Sequence, residues 1–388
     1  MSALHRVLHV IDSLDLGGAQ TFLLGLVKHL DRSRYLPEVA CMHGKGVYAE
    51  AFAREGITVH SLSPGKFPPH YLPNFWQLMR HGRYDLLHFH LFGANLCAKP
   101  LAVMAGHPAI IVHDQCNDAS RESNPLLLAA DALWNRCSDR VIAVSASTRR
   151  YLLDREDLPD DLVTMIPNGI DAEEFYPPGA SVREAARLEL GVPEGAFVIG
   201  GVGRLVSQKN FTLFLEIAVR VLLRHPSAFF VIAGTGPQED DLKAKAVALG
   251  IDDRVRFLGH VADRLGLYHS LDALLMTSDF EGTPMVLLEA MACGLPMVAS
   301  AVDGIAEVCT HGKDAVLVRP GSIQGFANAL DALLQDETQR RTLGSEARKT
   351  MLKGYEIRGL VRRIERIYEE TIIFQLGKDP DSQHSSNS

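Results

Sequence analysis

The sequence predicts an α/β protein of two doubly wound, Rossmann-like domains. Three observations carry that expectation. Short apolar runs alternate with longer helical patterns from end to end, the arrangement of parallel strands joined by helical crossovers. The alternation comes in two sets, separated by a stretch dense in turn residues, Pro167-Asn-Gly-Ile-Asp171, with Pro177-Pro-Gly179 following. At 388 residues the chain is also too long for one ordinary core.

Composition narrows the function classes. A hydrophobic share of 47% with 22% charged residues is that of a soluble globular protein, and a formal net charge of −8 argues against general nucleic-acid binding. Six scattered cysteines (Cys41, Cys97, Cys116, Cys137, Cys293, Cys309) form no CxxC pair and read as buried thiols of a reducing compartment. The apolar stretch Val7 to Ile11 is broken at once by Asp12, and no run approaches a transmembrane length. A cytoplasmic protein is expected, with peripheral contact at the inner membrane face left open.

In the first set the strand candidates are Arg6–Ile11, Leu86–His90, Ala109–His113, Arg140–Val144 and Val163–Ile166. In the second they are Phe197–Gly201, Ala228–Ala233, Val255–Leu258, Ala273–Met276, Met297–Ser300 and Ala315–Val318. Between the sets, Ser181-Val-Arg-Glu184 reads as a capping box that opens a new helix. The last helical pattern places Leu360, Ile364, Ile367, Tyr368 and Ile372 at a 3.6 period, and the polar tail 377–388 reads as disordered.

Several sites within this frame invite ligands. Asp12-Ser-Leu-Asp-Leu-Gly-Gly-Ala-Gln20 joins the first strand to a helix over Thr21–Leu30, and Gly17 and Gly18 let backbone approach a ligand closely. His88 and His90 alternate on one strand, so both imidazoles point the same way; a metal reading lacks a third ligand at zinc-site spacing. His113 ends a parallel strand, at the edge where open α/β sheets bind ligands. The segment from Pro64 to Tyr71, with Lys66 and Phe67, leads to a helix bearing Phe75, Trp76, Leu78 and Met79. That stripe reads as core-facing, with an acceptor or membrane surface as the alternative. In Gly200-Gly-Val-Gly-Arg-Leu-Val-Ser-Gln-Lys-Asn210, Arg204 and Lys209 follow a strand and precede a helix, so both can reach a cleft.

The stretch from Ser278 to Ser300 is the most informative. Thr283 suits an N-cap with Pro284 as the first helical residue, and Gly294 with Pro296 suits the exit. Between them Met285, Val286, Leu287, Leu288, Ala290 and Met291 make a helix apolar on every side, interrupted by Glu289. A buried carboxylate needs a partner. With Glu281 just before the helix, two acids flank a helix start that favours anions. A ligand carrying phosphates and hydroxyls, such as a nucleotide-sugar, fits.

Glu281 and Glu289 with Ala-Met-Ala-Cys-Gly-Leu-Pro296 resemble the Glu-x7-Glu signature of retaining GT-B glycosyltransferases, family 4 in particular. The resemblance implies two Rossmann-like domains facing across a cleft. These would be an acceptor-side domain over 1–170, a donor domain over 171–355 and a helix over 356–376 crossing back to the first domain. It implies Arg204 and Lys209 as a diphosphate clamp, assisted by the helix start at Thr283, Pro284, Met285 and Val286. Glu281 would hold the sugar, Glu289 the ribose hydroxyls, and His113 would reach the transferred sugar. Gly17 and Gly18 would face the diphosphate, although Gln20 stands where the family carries an acid. Gly234-Thr-Gly-Pro237 and Val255 to His260 resemble base-pocket segments, with Arg256 acting through its backbone. No cofactor and no metal are implied, since the only Asp-x-Asp, Asp379-Pro-Asp381, lies in the tail. The donor would be a UDP- or GDP-sugar and the acceptor is open, lipid-linked acceptors included, within polysaccharide or glycolipid assembly.

Other readings fit less well. A nicotinamide dehydrogenase would need glycine where Val206 stands. A glycosidase built on Glu281 and Glu289 leaves Arg204 and Lys209 without a purpose. A GT-B epimerase, a phosphorylase or a nucleotide-sugar-binding protein without turnover shares the architecture.

Overall fold

The structure is a computed structural model and describes residues 4–44, 46–63, 71–106, 109–115 and 124–378. Lys66, Phe67, Cys116 and the tail acids Asp379 and Asp381 lie outside them. The chain divides into two compact units, Met1–Asn168 with Ile357–Ser388, and Gly169–Glu356.

The first unit holds a seven-stranded sheet made of β1 (His5–Ser13), β2 (Tyr35–His43), β3 (Thr58–Ser61), β4 (Leu86–His90), β5 (Ile110–Asp114), β6 (Arg140–Ala143) and β7 (Val163–Met165). Its order is β3-β2-β1-β4-β5-β6-β7, and every pairing is parallel. The chain therefore winds outward from β1 in one direction and from β4 in the other, with the switch point between them. One core packs Leu8, Val10, Leu87, Phe89, Ile110 and Val112 with Phe75 and Met79 of the helix Tyr71–Gly82, so the stripe on that helix is core-facing. The helix Ile357–Lys378 completes this unit. It buries Leu360, Val361, Ile364 and Tyr368, and its Glu365 accepts from the Asp31 amide at 2.8 Å.

The second unit holds β8 (Val198–Val202), β9 (Phe229–Ala233), β10 (Val255–Gly259), β11 (Ala273–Met276), β12 (Met297–Ser300) and β13 (Val316–Val318), ordered β10-β9-β8-β11-β12-β13. All of its pairings are parallel, and its switch point lies between β8 and β11. Two Rossmann-like sheets are thus present as expected. Among the described residues, no helix is long and apolar enough to cross a membrane.

Some local expectations need correction. β2 and β3 were not anticipated; β2 carries Pro37 and a buried Glu38, and β3 is a short, half-exposed edge, so neither shows a clean apolar run. The capping box does not form, because the helix Ala180–Glu189 starts two residues early with Gly179 at its N-cap. Cys97 and Cys137 are exposed, whereas Cys41, Cys293 and Cys309 are buried free thiols.

Candidate active site

The switch point of the second sheet gathers the predicted charged residues. The loop after β8 carries Arg204 and then the short 3-10 turn Ser207–Lys209. Asn210 closes this turn in a left-handed conformation (φ 49°), and its side chain caps the helix Phe211–Leu222 by accepting from the Leu213 amide at 3.1 Å. The loop after β11 carries Glu281. The two loops are stitched together. Asp279 N–H donates to the Gln208 carbonyl and the Gln208 amide to the Phe280 carbonyl, both at 2.9 Å. The Thr277 hydroxyl reaches the carbonyls of Lys209 and Asn210 at 3.0 Å.

This stitching sets the charges. Lys209 Nζ donates to Glu281 Oε1 at 2.5 Å, and the Ser278 hydroxyl donates to the same oxygen at 2.7 Å. Glu281 is buried, so it needs that cation. Arg204 is exposed and makes no ion pair among the described residues. One guanidinium open to solvent stands beside one lysine–carboxylate pair at a sheet edge, an arrangement suited to an anion that also carries hydroxyls.

The helix after Glu281 runs Met285–Ala292. Pro284 occupies the N-cap and not the first helical position, so Thr283 lies one residue before the N-cap; this corrects both assignments. Proline here offers no side-chain cap, which leaves the Met285 and Val286 amides at the dipole's positive end. At the other end, Gly294 takes φ 66°, its N–H bonding to Met291 O and the Leu295 N–H to Ala290 O, each at 3.0 Å. That is a Schellman exit, as the Gly-Leu-Pro sequence predicts.

Glu289 is fully buried on this helix and is paired. Arg264 donates to Oε1 at 2.5 Å and the Tyr268 hydroxyl to Oε2 at 2.8 Å. Desolvation pushes its pKa up, and Arg264 pulls it back. Both Glu289 oxygens are engaged by these partners, one hydrogen bond to each. Arg264 and Tyr268 were not foreseen; their only sequence signal was the need for partners that Glu289 itself creates.

Arg256 also departs from expectation. It is the second residue of β10, near the amino end of the strand and far from the ligand-binding edge. Its guanidinium donates to the carbonyls of Leu190 at 2.5 Å and Gly191 at 2.8 Å, so it ties down the turn before β8.

In the first unit, Gly17 is the N-cap of the helix Gly18–His29, which begins three residues earlier than expected, and its backbone is extended. Gln20 folds back over it: its Nε2 donates to Ser13 O at 2.9 Å, and its Oε1 fills the space a Gly17 side chain would take. Gln20 thus closes the turn internally. His113 is fully buried, stacked on His88 at 5.5 Å and edge-on to Phe22 at 5.0 Å. Neither of its ring nitrogens has a hydrogen-bond partner among the described residues. Burial pushes its pKa down to about 3.

Comparison with known proteins agrees with this architecture. The family described as glycosyl transferases group 1 matches residues 182–350, and glycosyltransferase family 4 matches residues 16–174. An uncharacterized glycosyltransferase of Methanocaldococcus jannaschii is 30% identical over 346 residues, covering 86% of this chain and 87% of that protein. An Escherichia coli enzyme named UDP-Gal:alpha-D-GlcNAc-diphosphoundecaprenol alpha-1,3-galactosyltransferase is 25% identical, covering 78% and 79%. Among solved structures, Anabaena HepE in complex with UDP and glucose aligns with a TM-score of 0.85 at 23% identity, covering 94% of this chain and 99% of that one. The fold is GT-B.

Proposed function

The chain belongs to the group 1 glycosyltransferases, and from that premise we propose that it is a retaining, metal-independent transferase moving a hexose from a nucleoside-diphosphate donor to an acceptor hydroxyl. The observation that carries this reading is the charge arrangement at the second switch point, exposed Arg204 beside the Lys209–Glu281 pair. Transfer builds negative charge on the departing diphosphate. Arg204 supplies a fork of donors, Lys209 a point charge and Met285 and Val286 their amides, all in place before the reaction. Glu281, fixed by Lys209 and Ser278, accepts from the sugar hydroxyls. Glu289 serves by holding Arg264 and Tyr268 in position. The leaving phosphate takes the acceptor proton on the face it departs from, which retains the anomeric configuration.

The donor class is a UDP- or GDP-sugar, and the E. coli relative and the UDP-bound neighbour favour UDP. The same relative acts on a diphospholipid-linked sugar, which supports a lipid-linked acceptor in polysaccharide or glycolipid assembly, met at a membrane surface.

Calorimetric titration of UDP, GDP, ADP and dTDP in EDTA tests the clamp. One nucleotide is expected to bind, and Lys209→Ala to weaken it by at least about tenfold, or ~1.4 kcal/mol. No binding by any of the four to folded protein would remove the transferase reading. Glu281→Ala is expected to lose transfer while keeping nucleotide affinity; loss of that affinity would reassign Glu281 to the nucleotide.

A further inference from the structure

Four histidines share one face of the first sheet. His9 lies opposite His88 in the β1–β4 register and His90 opposite His113 in the β4–β5 register. The two-residue strand period puts His88 and His90 on the same side. Their rings are 4.1 Å apart, and that of His9 lies 5.3 Å from each. All four side chains are fully buried. The opposite face of the same strands packs with Leu8, Val10, Leu87 and Phe89, so apolar residues suffice for packing this sheet. Burying imidazoles instead is costly unless their nitrogens are satisfied. His88 Nε2 has no hydrogen-bond partner among the described residues, and His9 Nδ1 and His90 Nε2 have only each other.

We propose that His9, His88 and His90 bind one transition-metal ion of the zinc class within the first unit. One nitrogen from each residue lies within 4.8 Å of the other two. His9 Nδ1 and His90 Nε2 are 3.1 Å apart, close to the ~3.3 Å that separates neighbouring ligands on a tetrahedral ion with ~2.0–2.1 Å bonds. The Tyr368 hydroxyl holds His88 Nδ1 at 2.6 Å, an outer-shell contact that fixes the ring and leaves Nε2 to the metal.

The proton inventory balances. Without the ion, a single proton lies between His9 Nδ1 and His90 Nε2, one ring donating and the other accepting. Ligation needs a lone pair on both atoms, so the donor ring takes its other tautomer. Its proton moves to His9 Nε2 or His90 Nδ1, and none is released. The donor set is all imidazole, which suits Zn(II), Co(II), Ni(II) or copper and not Mg(II) or Ca(II). His113 stacks on His88 with ring centroids 5.5 Å apart and lies outside the three-histidine cluster. The ion would pin β1 and β4, and through Tyr368 the helix Ile357–Lys378, without touching the transfer chemistry.

The test uses the full chain produced in zinc-supplemented medium and purified without a metal column. Elemental analysis is expected to find about one zinc per chain, and the zinc-edge absorption spectrum a shell dominated by nitrogen, with imidazole scattering. Tyr368→Phe is expected to weaken zinc about 10–100-fold, read by competition with a chromophoric chelator. His9→Gln with His88→Gln is expected to empty the site. A background of Cys97→Ser and Cys137→Ser removes the exposed thiols as competing ligands. Folded wild-type protein without metal after refolding in zinc overturns the proposal, as does a sulfur- or carboxylate-dominated shell. The wild-type spectrum decides the matter even where the histidine variants do not fold.

Discussion

Glu289 shows how a single residue organises its surroundings. Its carboxylate sits on a helix with no polar neighbour in sequence, and Arg264 and Tyr268 offset the desolvation from another element. Arg264→Met would leave that carboxylate without its cation, costing about 3 kcal/mol, the low end for a broken buried pair because Arg264 is a third exposed. Adding Glu289→Gln should restore most of the loss, and urea midpoints of the double-mutant cycle measure it; additive losses would rule out the coupling. Lys99 is the second instance. It is fully buried and donates to the Ser138 hydroxyl at 2.5 Å, and desolvation lowers its pKa to about 7 against nearby acids that raise it. The unfolded chain therefore binds the extra proton between about pH 7 and ~10.4. Stability contributed by Lys99 rises with pH through that window, by up to ~1.4 kcal/mol per unit, and the full penalty applies below it. Lys99→Met should flatten the trend between pH 7 and 9, whereas equal pH dependence in both chains would contradict the burial argument.

At the scale of elements, the Glu281 loop depends on contacts between backbones. Gly304 N–H donates to Glu281 O at 3.2 Å, and a side chain at Gly304 would fall 1.5 Å from Gly282 O. Gly304→Ala must push the 279–283 loop away while leaving every charged residue of the sequence unchanged. The transfer rate should drop by about tenfold or more, since a small misplacement of a positioning group costs on the order of 10²-fold. An unchanged rate would show that the loop's placement is not what positions Glu281. The helix Met285–Ala292 and its Schellman exit were legible beforehand, because caps and apolar periodicity are written within a dozen residues. Its first residue was placed one position early, because Thr-Pro supports two cap registers that differ only in tertiary packing.

For the whole molecule, the chain order and the unit order differ. The helix Ile357–Lys378 follows the second unit in sequence but belongs to the first, where Ile364 and Tyr368 are fully buried. A chain ending at Glu356 should retain a protease-resistant core spanning 169–356, while its first unit, stripped of Leu360, Val361, Ile364 and Tyr368, becomes susceptible. Equal resistance of both units in limited proteolysis would show that this helix is dispensable.

What the sequence determined by itself is local in origin. The alternation of strand and helix, most strands of both sheets, the helix around Glu289 and its need for a partner all follow from periods of two and 3.6 and from cap residues. β2 and β3 escaped because Pro37, Glu38 and a four-residue edge blur those periods. Tertiary structure alone decided the pairings: Lys209 with Glu281, Arg264 and Tyr268 with Glu289, and His9 beside His88 across 79 residues of chain. These partners are set by strand order and by the crossovers that bring distant segments to one sheet. No local pattern encodes that order, because burial and charge act on whatever the completed fold makes adjacent.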